Sequence, residues 1–247
     1  MRFSRCIAAL GGVLALLVTP AAAAADEALP PLLEQAIAAG ETIPETRWIV
    51  TQRVRQRDRD GADEIVLRFD PSTEGDSQIE VAEPQGDLTK QQEKLLDGYK
   101  SQLAAAREDG TENISASYLM YDGVREMLRN GVEMVSEDAE TAIYAFAPSA
   151  EEGDTDSEKF LKHIRGELTV AKAAPHIRRM RLFALEPFKP AAVAKLESFE
   201  QIVEFAPPTA DRPPLMTRSY SNAAGSAFFK KFENETEVTI LDIRAIN

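Results

Sequence analysis

Polar and apolar residues alternate from Thr46 to Arg57. Trp48, Val50 and Val54 fall on one side, and Arg47, Thr51, Arg53, Arg55 and Arg57 on the other. A period of two over that length predicts a strand with one buried face. Asp58-Arg59-Asp60-Gly61 follows, ending on the Asp-Gly step that tight hairpins favour. Ile65, Leu67 and Phe69 then line one face of a return strand, and Gln78 to Val81 predicts a third, short one. Helical spacing stands on either side of this group. Leu29, Leu32, Leu33, Ala36 and Ile37 predict a helix over Leu29–Ala39, with Pro30 and Pro31 in its first turn and Gly40 just past its end. Thr89 and Gln92 have the spacing of a capping box, ahead of Leu95, Leu96, Tyr99 and Leu103. After a polar loop over Arg107–Ser115, Tyr118, Tyr121, Val124, Met127 and Leu128 predict a further helix, closed by Asn130-Gly131.

From Val132 onward the pattern is that of strands. They are expected at Val132–Ser136, Thr141–Phe146, Gly166–Ala171, Ile177–Glu186, Ala194–Phe205, Met216–Ser221, Ala227–Glu233 and Glu237–Ile246, with Pro, Gly and Asn in the gaps. Ser149–Ser157 reads as an acidic loop, and Pro207, Pro208, Pro213 and Pro214 mark an exposed connection. Strands joined by short turns, without helices between them, imply hairpin order rather than a parallel α/β sheet. About ten strands in one sheet tend to curl, and the helices are the natural cover for the concave face that results. The expected fold is mainly β (α+β): a large curved antiparallel sheet or incomplete barrel, with helices over its concave face. Residues 26–247 are expected to form one domain, carrying a helical insertion around 88–130.

The first 25 residues follow another logic. Arg2 and Arg5 precede the apolar run Ile7–Val18, Pro20 ends it, and Ala21–Ala25 supply small residues for a signal peptidase. This is the three-part pattern of a secretory signal, with cleavage expected near Ala25. The run is too short to span a bilayer as a permanent helix. Cys6, the one cysteine, precedes the run, so it does not sit where a lipidated cysteine would, and the mature chain has no thiol chemistry. The export signal places the mature protein outside the cytoplasm. The chain carries 41 acids against 28 bases, a formal charge of −13, and loses two arginines with the signal. Such a balance speaks against nucleic acid as a partner.

No motif with catalytic chemistry emerges. The acids around Gly61 stand on a strand hairpin too short for a calcium loop. His163 and His176 are the only histidines, and they lie in separate segments without zinc-ligand spacing. Gly225-Ser226 lacks the surroundings of a nucleophile elbow. Catalytic residues, metal ligands and cofactors are therefore all expected to be none. A cluster of either histidine with an acid or serine would revive an enzymatic reading. The arginines of the first strand, and Arg178, Arg179 and Arg181, read as solvated strand faces offset by nearby acids. The chemistry that remains is apolar. Trp48, Val50, Val54, Ile65, Leu67, Phe69, Phe183, Leu185, Phe199, Val203, Phe205, Phe228 and Phe232 stand on alternating strand positions. Of these Trp48, Val50, Val54, Ile65, Leu67, Phe69, Phe183, Phe199, Phe205 and Phe228 are the expected lining of a cavity, where each buried methylene of a ligand is worth about 0.8 kcal/mol.

The order of elements resembles the periplasmic lipoprotein-carrier superfamily. That group includes outer-membrane lipoprotein-sorting proteins and lipid-sensing regulators of envelope stress. The local matches are Trp48-Ile49-Val50 on the first long strand and Ile164-Arg165-Gly166-Glu167-Leu168 opening a later one. The resemblance implies an incomplete β-barrel closed by helices around an apolar cavity for acyl chains. The inserted helices over 88–130 depart from it, and no arginine of this chain is matched to the family's functional one. The expectation is a periplasmic, non-enzymatic protein that binds a lipid or lipoprotein acyl chain. Its partners would be that ligand and an envelope protein, with no membrane-spanning segment after cleavage. The rival expectation is an envelope interaction or regulatory module with a solid core.

Overall fold

The structure, a computed structural model, describes residues 29–41, 47–59, 61–108, 123–150, 155–210, 212–228 and 230–246. Eleven strands join in one antiparallel sheet: β1 (Arg47–Arg57), β2 (Ala62–Phe69), β3 (Ile79–Glu83), β4 (Val132–Glu137), β5 (Thr141–Phe146), β6 (Ile164–Ala171), β7 (His176–Ala184), β8 (Phe188–Ala191), β9 (Ala194–Ala206), β10 (Leu215–Ala227) and β11 (Lys230–Ile246). The sheet is curved and does not close into a barrel. Its order is β3-β2-β1-β11-β10-β9-β7-β6-β5-β4, with β8 pairing β9 off this path. Most neighbours in space are neighbours in sequence. Besides β7 and β9, which pair across the short β8, the exception is decisive: β1 pairs with β11, so β3 and β4 end up on opposite edges although they are consecutive strands.

The chain between β3 and β4 therefore crosses the sheet from edge to edge, and helices from this stretch lie on one face. Helix α2 (Lys90–Glu108) packs over β2 and β3, burying Leu95 against Val54, Ile65, Leu67 and Val238. Helix α1 (Pro31–Glu41) lies over β6 and β7. With the single-turn α3 (Val124–Met127) it buries Leu33, Ala36, Ile37, Val124 and Met127 against Tyr144, Leu168, Val170, Ile177 and Met180. Helix α4 (Thr155–Leu161) sets Phe160 edge-on against Phe188 and Phe199. Burial of these apolar faces, about 25 cal/mol per Å² removed from water, is what holds helices to sheet.

Several local expectations are met closely. The capping box forms in both directions: Thr89 Oγ1 accepts from the Gln92 N–H at 3.1 Å, and Gln92 Oε1 accepts from the Thr89 N–H at 2.9 Å. The β1–β2 turn closes through the Asp58 N–H to Gly61 O, and Gly131 takes φ 82° where it was expected to end a helix. Other expectations are corrected. Helix α1 runs through Gly40 to Glu41, and Gly40 is buried within it rather than standing past its end. Of the helix read over Tyr118–Leu128, the described residues show only Val124–Met127; Tyr118 and Tyr121 fall outside them, as does most of the Arg107–Ser115 loop. The three strands read over Met216–Ile246 are two. The Asn222–Ser226 stretch looked like a break, yet it is sheet: a Cβ on Gly225 would stand 2.2 Å from the Lys195 carbonyl, so only glycine lets β9 approach there. β8 and α4 were not foreseen. The signal segment lies outside the described residues.

Candidate functional site

Paired residues in an antiparallel sheet share a face, so the register assigns every side chain to the helix-covered or the open face. Trp48, Val50 and Val54 on β1 share the covered face with Ile65, Leu67 and Phe69 on β2 and Val238 on β11. Phe205, Val203 and Phe199 on β9 share it with Met216, Ser219 and Ala223 on β10. Met180 and Leu182 on β7, Leu168 and Gly166 on β6, and Tyr144 and Phe146 on β5 continue it. Eight of the ten residues singled out in the sequence thus meet on one surface, with Phe69 and Phe199 half-buried and the other six buried. Phe183 does not join them. It pairs with Glu200 and Arg165 on the open face, where the Arg181 guanidinium sits 4.2 Å above its ring. Phe228 is in the β10–β11 turn and 64% exposed. Alternation alone could not assign these two, since a bulge between Thr169 and Val170 resets the phase relating β6 to β7 and Phe228 lies beyond its strand.

The covered face is not uniformly apolar. Gln201, Ser221, Thr236 and Gln56 stand in register across β9, β10, β11 and β1. Gln52, Gln201, Ser219 and Thr236 are buried. The Trp48 indole N–H is buried and meets no acceptor among the described residues. Leaving such a donor unmet costs about 1–3 kcal/mol.

At the end of the sheet where β4 and β6 begin and β5 ends, a groove of about 520 Å³ opens. Leu29, Pro30, Val132 and Phe146 form its apolar walls, and Asn130, Glu133 and Arg165 stand at it as polar groups. Phe146 belongs to the main core cluster, and Leu29 and Val132 pack against it, so the groove borders the covered interior at the edge of the sheet. Phe146 is held down by the glycine opposite it. A Cβ on Gly166 would lie 2.1 Å from the tip of its ring, so the ring occupies the space that a side chain would need. Phe146 was legible as an inward position of the Thr141–Phe146 strand. Leu29 and Pro30 were not, because their approach to β4 is a tertiary event.

One ion cluster ties the helices together. Arg125 on α3 donates to both carboxylate oxygens of Glu34 at 2.8 and 2.9 Å, and to both of Glu41 at 2.7 and 3.1 Å, joining α3 to the first and last turns of α1. The hydrogen bonds from Arg125 hold the Glu34 carboxyl below the usual glutamate range. The open face carries a different array. Arg181 reaches Glu200 and Glu167, Arg218 reaches Glu237 and Glu204, and Arg55 reaches Glu64 and Glu237. Arg53 and Arg55 of β1 and Arg181 of β7 are thus offset by acids on neighbouring strands, and Ile202, the residue paired with Arg181, is buried on this face. His163 stacks on Phe188, and His176 is buried with Nδ1 2.6 Å from Ala174 O, so the two histidines stand apart at opposite ends of β6 and β7. Among the described residues no three His, Cys, Asp or Glu side chains gather as a metal site. No helix among them is long and apolar enough to cross a membrane.

No family model matches the chain, and no curated protein matches it. Among solved structures, the chain is similar to a domain from Vibrio parahaemolyticus described as an outer membrane lipoprotein-sorting protein domain. The superposition covers 87% of this chain and 90% of that one, at 9% identity and a TM-score of 0.41. This is a weak fold resemblance.

Proposed function

We propose that the chain is an exported, non-enzymatic envelope protein, periplasmic after cleavage near Ala25, whose residues 26–247 act as one domain holding an apolar ligand between sheet and helices. The ligand class is a lipid or lipoprotein acyl chain, and it enters by the groove beside Leu29, Val132 and Phe146. The observation that carries the reading is that the groove is walled by Phe146 of the main core cluster and by Leu29 and Val132, which pack against that cluster. Its volume falls within the range of about 300–1,000 Å³ usual for small-molecule sites. Trp48, Val50, Val54, Ile65, Leu67, Phe69, Phe199 and Phe205 form the deeper lining. The unmet indole N–H of Trp48 and the buried amides of Gln52 and Gln201 offer hydrogen bonds to the polar end of such a ligand. Capture is by burial of methylenes, and release follows when a partner site buries them better.

The test uses the chain's one tryptophan, which lies on the covered face. Native mass spectrometry of the mature protein, isolated from its own compartment, is expected to show a bound acyl species. Titration with a brominated fatty acid is expected to quench Trp48 emission, and Val132→Glu at the groove wall to weaken that quenching about tenfold. An apo mass together with no quenching refutes the ligand reading. The interaction-module reading then stands, supported by the tightly filled cluster around Leu33, Ile37, Ile164 and Leu168.

A further inference from the structure

Two hairpins outrun their neighbours at the groove end of the sheet. β9 pairs with β7 only as far as Phe183↔Glu200, yet it begins at Ala194. β11 pairs with β1 only as far as Arg57↔Glu235, yet it begins at Lys230. β8, β9, β10 and β11 therefore project as a tongue about five residues, or roughly 16 Å, past the strands beside them. Its tip is unlike the rest of the molecule. Val193 in the β8–β9 turn is 49% exposed and Phe228 in the β10–β11 turn is 64% exposed. The two turns are joined, since the Phe228 N–H donates to Val193 O at 2.9 Å. Phe228 holds φ 48°, a left-handed conformation that glycine or asparagine takes at lower cost than an aromatic residue. The two-residue hairpin turn calls for positive φ, and a bulky apolar side chain is thus kept in water at a position where glycine or asparagine would serve the turn better.

Charge gives the second observation. At the tip, residues 188–195 and 222–232 contain Lys189, Lys195, Lys230 and Lys231 and no Asp or Glu, the exposed Glu197 and Glu233 standing behind them on the tongue, in a chain of 41 acids and 28 bases. Lys195 and Lys231 flank Ser226 in register on one side of the tongue. Lys195 also meets Glu197, further from the tip, at 2.8 Å. At the side, Arg59 reaches across from the β1–β2 turn to the Lys231 carbonyl. Apolar side chains at a protruding tip ringed by lysines match an interface where acyl chains lie beneath anionic headgroups. The acidic remainder of the molecule turns the opposite way in the same field.

We propose that this tongue tip docks the protein on an anionic bilayer surface, with Phe228 and Val193 entering the headgroup layer and the four lysines facing the lipid phosphates. The inference stands on the tip alone and holds whether or not the groove takes a ligand. Docked so, the groove end of the sheet faces the bilayer.

The mature chain is tested by flotation with vesicles of phosphatidylcholine alone or mixed with phosphatidylglycerol. Binding is expected only with the anionic mixture and falls as salt is raised. Lys230→Glu and Lys231→Glu each weaken it about fivefold. Phe228→Gly separates docking from folding: it raises the melting temperature by relieving the left-handed strain and yet weakens vesicle binding about tenfold. Inorganic phosphate at millimolar concentration leaves binding unchanged. No flotation with the anionic mixture overturns the proposal, as does equal binding by the Phe228 and lysine variants and the parent. Competition by free phosphate overturns it as well, since the tip would then be an anion site.

Discussion

Glycines at two positions decide what their neighbours can be. At Gly225 the constraint is a backbone carbonyl, and at Gly166 it is the Phe146 ring. The second case bears on the groove. Gly166→Ala forces the Phe146 ring off the sheet, because a Cβ 2.1 Å from ring carbon has no room. The expected outcome is a loss of about 1–3 kcal/mol in urea unfolding, typical of overpacking. The displaced ring also narrows the groove, so capacity for an acyl probe falls with it. An unchanged denaturation midpoint would show that the ring has another seat. Neither constraint is visible in a one-dimensional pattern, which reads Gly166 as a strand opening and Gly225 as a gap between strands.

At the scale of elements, the helical cover depends on tertiary partners. A single turn such as α3 does not hold in water by itself. It is fixed by burial of Val124 and Met127 and by the Arg125 cluster with Glu34 and Glu41. Arg125→Gln is expected to cost about 1 kcal/mol near neutral pH, since these groups are partly exposed and screened. The pH dependence has a definite sign. The folded-state pKa of Glu34 is depressed, so the contribution is present above the ordinary glutamate value and is lost as pH falls through the lower folded value. The stability gap between parent and variant should therefore close between neutral pH and about pH 3, as followed by chemical denaturation at both. An equal gap at both values would remove the ion cluster from the account. By contrast, the start of α2 needed no tertiary information, because both partners of its capping box lie within four residues of chain.

At the scale of the molecule, the β1–β11 pairing sets the architecture. It brings the first and last strands together in the middle of the order and sends β3 and β4 to the edges. β11 is therefore central although it comes last. Its Val238 is fully buried, packed with Val54 and Leu95. Removing residues 230–246 is expected to abolish cooperative unfolding altogether, since it separates β3-β2-β1 from the other strands and exposes two long edges. A truncated chain with a cooperative transition in circular dichroism would show instead that the two parts fold separately. Removing β4, an edge strand with exposed Met134 and Val135, should be far milder.

The strands, the turn at Asp58–Gly61, the capping box and the antiparallel class were legible in the sequence because each is set by neighbours within a few residues: period two, an Asp-Gly step, a Thr-to-Gln spacing. Eight of the ten residues picked for an apolar lining share one face because pleat alternation within a strand is a local property. What the chain could not declare were relations between distant segments. Register across bulges put Phe183 on the open face, and a turn beyond the end of β10 put Phe228 in solvent. The close approach of β9 made Asn222–Ser226 part of a strand. Leu29 and Pro30 came to wall a groove with Val132 and Phe146. Local pattern determined which segments are strands and which face of each is apolar. Only tertiary packing decided which segments meet, where the covered face opens, and which apolar side chains are left in water.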